Sequence, residues 1–235
     1  MTEYRAMDAR PAASVRADGD AAGSVDGSPI GCLLPEGRIR PGTAVCAGGD
    51  MPLLLALAAQ ASSGGAGWAA VGLPQMGVLA AKSAGLDLAS GLWVDAPGRQ
   101  WVQVVATLAE AVPVVMVGQL GTVPGQVARR LAAVLRRSGS VLLSAGSWEG
   151  AEVRMSIVSA AWDGVGAGHG VLRGRRVKAA AVGRGASAVP RYAEMWLPGP
   201  DGKVASLSAR AVTVDSSQLA PGAGGVERPV LRVVG

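Results

Sequence analysis

The sequence predicts an α/β protein: a mainly parallel sheet flanked by helices, extended by antiparallel strands in the C-terminal third. Three observations carry this. From Thr43 onward, short apolar runs alternate with amphipathic segments of helical length, the pattern of consecutive βαβ units. The runs are apolar throughout, VPVVMV at 112–117 being the clearest, as in strands covered on both faces. After residue 150 the pattern changes to longer segments of strand composition joined by Gly-rich turns.

The elements follow in chain order. Residues 1–29 are rich in Ala, Asp, Gly and Ser and lack periodicity, which predicts a disordered N-terminal arm. A core domain is expected over 30–215, with Pro35 and Pro41 keeping its lead-in extended. A strand at 43–47 is followed by a helix over 51–62, with Asp50 as N-cap and Pro52 in the first turn. A strand at 67–72 leads to an Ala-rich helix over 76–85 that stops at Gly85. A strand at 90–94 precedes a helix over 99–110, in which Trp101, Val104, Val105 and Leu108 recur at helical spacing. After the 112–117 strand, a helix over 124–137 buries Val127, Leu131, Val134 and Leu135. A strand at 140–145 completes the parallel series. Segments 152–161, 172–183 and 190–197 read as the antiparallel strands. Asp163–Gly168 and Gly199–Gly202 read as turns. The tail, 216–235, is expected to be flexible, with an apolar end, VERPVLRVVG, suited to docking.

Composition bounds the rest. Apolar residues make up 49% of the 235, enough for a core, but aromatics are 3% and phenylalanine is absent, so Ala, Val and Leu must build the core with Trp as the large filler. Trp93 and Trp101 fit core positions; Trp148, Trp162 and Trp196 lie near turns, where hairpin packing or a partner surface are both open. The net charge of +5 is compatible with nucleic acid or an acidic partner and requires neither. Cys32 and Cys46 form neither a disulfide framework nor a metal signature, and Cys46 in an apolar strand reads as a buried thiol. The polar start and the lack of a membrane-length apolar run predict a cytoplasmic protein with no membrane contact.

The stretch 42–62, GTAVCAGGDMPLLLALAAQAS, has the strand, glycine turn and helix of a phosphate-binding loop but not its chemistry. The pattern Gly-x-x-x-x-Gly-Lys-Ser/Thr needs a lysine for the phosphates and a hydroxyl for magnesium. Here Gly48 and Gly49 are followed by Asp50, Met51 and Pro52, and no lysine precedes Lys82. The ends of the 67–72 and 112–117 strands supply no carboxylate, and Asp95 before Ala-Pro-Gly reads as a turn former. His169, the single histidine, lies in a Gly-rich turn, and no triad or metal cluster emerges. No catalytic residue, metal or cofactor is expected. Two basic surfaces remain. Arg129, Arg130, Arg136 and Arg137 share a helix face. Arg173, Arg175, Arg176, Lys178 and Arg184 cluster on a strand, where they could track phosphates or receive an acidic partner. Aromatic side chains that could stack bases are not interleaved with them.

The run LLPEGRIRPGTAVCAGG and the apolar helix after it resemble the lead-in and P-loop strand of RecA-like recombinases. GDMPLLLALAAQAS, GWAAVGLPQMGVLAAKSAGLDL and the block containing DGVGAGHGVLRGRRVKAAAVGRG and PRYAEMWLPGPDGK resemble more closely the actinobacterial RecA-like accessory proteins of SOS mutagenesis, the ImuA-prime type. The resemblance spans roughly 30–202. It implies a degenerate RecA fold and a non-catalytic accessory of translesion synthesis. The partners it implies are an ImuB-like inactive relative of Y-family polymerases and an error-prone replicative-type polymerase, with DNA or RecA contact also open. An ATPase with an atypical loop and a stand-alone DNA-binding protein are the competing readings.

Overall fold

The computed structural model describes residues 28–207, apart from 122, 167–168 and 185–187. The N-terminal arm up to residue 27 and the 216–235 tail lie outside the described residues. The strands are β1 (Ala44–Cys46), β2 (Trp68–Val71), β3 (Gly91–Val94), β4 (Val114–Val117), β5 (Val141–Ser144), β6 (Val153–Gly166), β7 (His169–Gly183), β8 (Arg191–Trp196) and β9 (Ala205–Ser206). The helices are α1 (Met51–Ala61), α2 (Val78–Ala84), α3 (Trp101–Ala111) and α4 (Gly125–Ser138). All strands form one sheet in the order β3-β2-β4-β5-β1-β6-β7-β8-β9. The run from β3 to β6 is parallel. The run from β6 to β9 is antiparallel. The mainly parallel sheet with its antiparallel extension is the architecture the alternating pattern predicts.

The two faces of the sheet carry separate cores, because successive strand residues point to opposite sides. Val45 and Ala47 face the side of α1 and α2, where Leu53, Leu54 and Leu57 are fully buried. Ala44 and Cys46 face the side of α3 and α4, against Val105, Leu131 and Leu135. This division follows from right-handed crossovers: β1 to β2 to β3 runs toward one edge, and β3 to β4 to β5 runs back. Helix α1 is apolar nearly all round. Its outer side is covered by the 30–34 segment and by Met195 and Leu197 from the antiparallel extension, all of the same core. Helix α4 is amphipathic, buries Ala128, Leu131, Val134 and Leu135, and ends at Gly139 in the left-handed region (φ 73°). Val127, expected inside, is only half-buried, and Ala128 takes its place.

Tryptophan fills the core as the composition requires. Trp68 is fully buried, its Nε1 donates to the Asp87 carbonyl at 2.8 Å, and its ring meets Trp93 edge-on with centroids 5.1 Å apart. Trp101 and Trp148 form a second edge-on pair at 6.4 Å beneath α3. Trp196 carries the Arg176 guanidinium over its ring at 5.7 Å. Trp162 is half exposed.

Several boundaries differ from expectation. Asp163–Gly166, read as a turn from its glycines, is a continuation of β6 paired with β7 down to Gly166–His169. A register shift between Asp163 and Val165 absorbs Gly164 (φ 101°), so the glycines bend the ribbon without ending it. His169 therefore begins a strand. The 99–110 helix starts later, at Trp101, behind a 3₁₀ turn at Gly98–Gln100.

Candidate functional site

In open α/β sheets, ligands sit outside the carboxyl ends of the strands where the crossovers diverge. Here that place is the end of β1, between β5 and β6, occupied by the 47–52 loop. The loop is tied to the end of β5 and to itself. Ala47 N donates to the Ser144 carbonyl (2.8 Å), Gly49 N to the Ala145 carbonyl (2.6 Å) and Asp50 N to the Ala47 carbonyl (3.2 Å). Asp50 caps α1, its Oδ1 accepting from Leu53 N at 3.0 Å. These three amides are thus engaged within the chain and do not face a ligand site as the amides of a phosphate-binding loop do.

The second oxygen of Asp50 completes the arrangement. Oδ2 accepts from Arg175 Nη1 of β7 at 2.7 Å, and both side chains are only 14% exposed. A helix N-terminus favours an anion, and the anion present is the chain's own carboxylate, neutralised by a guanidinium from the antiparallel extension. Arg175 is itself fixed by backbone pairing: its N donates to the Pro198 carbonyl and its carbonyl accepts from Leu197 N. Gly48 serves contact with β6. At φ 60°, a Cβ on it would lie 2.4 Å from the Met155 carbonyl oxygen.

Beside the loop lies a cleft of about 760 Å³ at the ends of β4 and β5, lined by Gln119, Ser144, Ser147, Glu149 and Arg154 among others. Gln119 lies between the loop and the turn after β5: its Nε2 would be 3.9 Å from a Cβ on Gly49 and its Cγ 3.2 Å from a Cβ on Gly146. No carboxylate stands at the end of β2 or β4, where the chain continues as Leu73 and as Gln119–Leu120, and Asp95 is exposed in a bend after β3. Among the described residues no group of His, Cys, Asp and Glu could hold a metal ion. Cys46, buried in β1, has its thiol pKa raised by burial, against smaller opposite effects of a backbone hydrogen bond with Trp148 and the Arg154 charge. Among the described residues, no helix is long and apolar enough to cross a membrane.

The basic residues divide differently from their sequence order. Arg175 points inward to Asp50 and is not part of an outer strand surface. Arg176 pairs with Asp163 at 2.8 Å and stacks on Trp196, and Lys178 lies over the Tyr192 ring. Arg173 is exposed on the projecting part of the β6–β7 hairpin. On α4, Arg137 pairs with Glu110 of α3, and Arg130 is exposed. Arg129 and Arg136 line a groove of about 580 Å³ together with Arg184 from the end of β7 and Arg40 from the lead-in to β1. Two groups that are far apart in sequence thus meet, joined by an arginine that no sequence signal marked. Arg40 is paired with Glu152 (3.3 Å) and Glu36 (3.5 Å). Close approach makes the groove: at Gly42 (φ 78°) a Cβ would sit 3.1 Å from Arg136 Cα, so the lead-in lies directly against the end of α4.

A family model described as the MT3502 N-terminal domain matches residues 32–150, just over half of the chain and the whole of β1 to β5. The chain belongs to the MT3502 N-terminal domain family. The chain is also 35% identical over 138 residues to the Uncharacterized protein Rv3395c of Mycobacterium tuberculosis, a match covering 56% of this chain and 68% of that protein. The family region holds the 47–52 loop, α4 and the 148–150 end of the groove. Arg175, which closes the loop, and Arg184 lie beyond it, in the antiparallel extension.

Proposed function

We propose that this member of the MT3502 N-terminal domain family is a non-catalytic, RecA-like accessory protein of the ImuA-prime type. On this reading it works in the cytoplasm in a translesion-synthesis complex of the SOS response, through contacts with an ImuB-like inactive polymerase relative and an error-prone replicative-type polymerase. The observation that carries the non-catalytic part is the Asp50–Arg175 pair at the mouth of α1. It fills the helix mouth with a carboxylate already held by a guanidinium, so a triphosphate would have to break that pair and would find no lysine in its place. The motifs from Gly49 to Leu88 and from Asp163 to Lys203 support the accessory role.

The test has two parts. Calorimetry of the purified chain with ATP, ADP and magnesium is expected to give no saturable heat. Co-purification with the ImuB-like protein from the same genome is expected to give a stable complex. Micromolar ATP binding would overturn the non-catalytic reading. Failure to form the complex would overturn the accessory role.

A further inference from the structure

We infer that the groove between α4 and the 148–152 connection is a docking site for an acidic, amphipathic helical segment of a partner protein. The inference rests on the reading of this chain as a protein-binding module and names the surface that does the binding.

The groove offers a matching pattern of charge and apolar floor. Its floor is Ala44, Ala128 and Leu135, which suits aliphatic side chains. Arg129 and Arg136 stand on one wall, exposed. They are seven residues apart, two turns of α4, or about 10.5 Å along the helix. A helix laid along α4 repeats its own carboxylates at the same interval. Arg184 supplies a third guanidinium at the far side, and among the described residues no ion pair is formed by Arg129, Arg136 or Arg184. Guanidinium groups recognise carboxylates through paired, charge-assisted hydrogen bonds.

A nucleic-acid strand fits the same groove less well. Glu149 and Glu152 also line it, and a continuous phosphate backbone would have to pass both. The one aromatic side chain in the lining, Trp148, is 3% exposed and packed on Trp101, so it offers no face on which a base could stack. A peptide can place carboxylates against the arginines and leave neutral residues opposite the glutamates.

The experiment is fluorescence anisotropy with three labelled probes. One is a helical peptide with Glu at i and i+7 beside a Leu stripe. The second is the same peptide with Lys in place of Glu, and the third is a short oligothymidylate. The proteins are the wild type, the Arg129→Glu/Arg136→Glu double variant and Arg130→Glu, which changes the same helix outside the groove. The Glu peptide is expected to bind the wild type and Arg130→Glu alike, and the double variant roughly tenfold or more weakly. The Lys peptide is expected not to bind. Equal binding of the Glu peptide by the double variant and by Arg130→Glu, or no binding by the wild type, would overturn the proposal. So would an oligothymidylate that displaces the peptide and itself loses affinity in the double variant, which would make the groove a nucleic-acid site. Co-purification separates this from the accessory role. If the ImuB-like partner is captured equally by wild type and double variant, the groove assignment fails and the accessory role stands. If the peptide behaves as expected and the partner is never captured, the groove stands and the accessory role fails.

Discussion

Asp50 holds two jobs at one point in the chain. Its Oδ1 caps α1 and its Oδ2 holds Arg175, in a site only 14% exposed. Asp50→Ala removes the cap and leaves a guanidinium without its partner in a largely dry place. The expected loss is about 2–3 kcal/mol of unfolding free energy, read from urea midpoints. Asp50→Asn keeps a capping oxygen but not the charge, and is expected to fall between the two. An Asp50→Asn chain as stable as the wild type would show that the pair contributes nothing. Cys46 gives a second prediction at this scale. Burial raises its pKa, so the folded state holds the neutral thiol, and the exposed Cys32 is expected to react with a thiol reagent far faster. A group whose pKa is raised on folding gives its full contribution below the ordinary thiol range, and that contribution is lost as pH rises through the raised value. Cys46→Ala is expected to flatten the alkaline fall in the urea midpoint; an unchanged slope would contradict this.

At the scale of elements, the loop between β1 and α1 is built for contact with β6. Gly48→Ala would press a Cβ against the Met155 carbonyl oxygen and is expected to cost about 2 kcal/mol or more through strain and displacement of β6. A neutral result in a denaturant titration would contradict the close approach. The Arg176–Asp163 pair on the outer side of the hairpin is 47% and 36% exposed, so Arg176→Ala is expected to change stability by less than about 1 kcal/mol. The parallel strands and their helices were legible in the sequence because buried runs such as VVMV and stripes such as that of α4 leave a direct pattern. The Asp50 cap was legible as a residue type in its place. The full length of the β6–β7 hairpin was not, because Gly164 and Gly166 carry turn composition while lying within a paired strand.

At the scale of the whole molecule, the strand order does what no local pattern reveals. With β1 set between β5 and β6, the lead-in to β1, the side of α4 and the end of β7 converge, and Arg40, Arg129, Arg136 and Arg184 share one groove. The same order brings Arg175 of β7 across to the mouth of α1, 125 residues from its partner. The missing lysine could be read from the sequence, but the guanidinium that closes the loop could not, because their meeting depends on the fold of the antiparallel extension over α1. The loop at the mouth of α1 holds an internal ion pair where a nucleotide-type loop would hold a phosphate, and calorimetric titration of the chain with magnesium and ATP tests this most directly. The account predicts no saturable heat. Stoichiometric binding at micromolar ATP would contradict it, because it would require the Asp50–Arg175 pair to open and the loop amides to turn toward a phosphate.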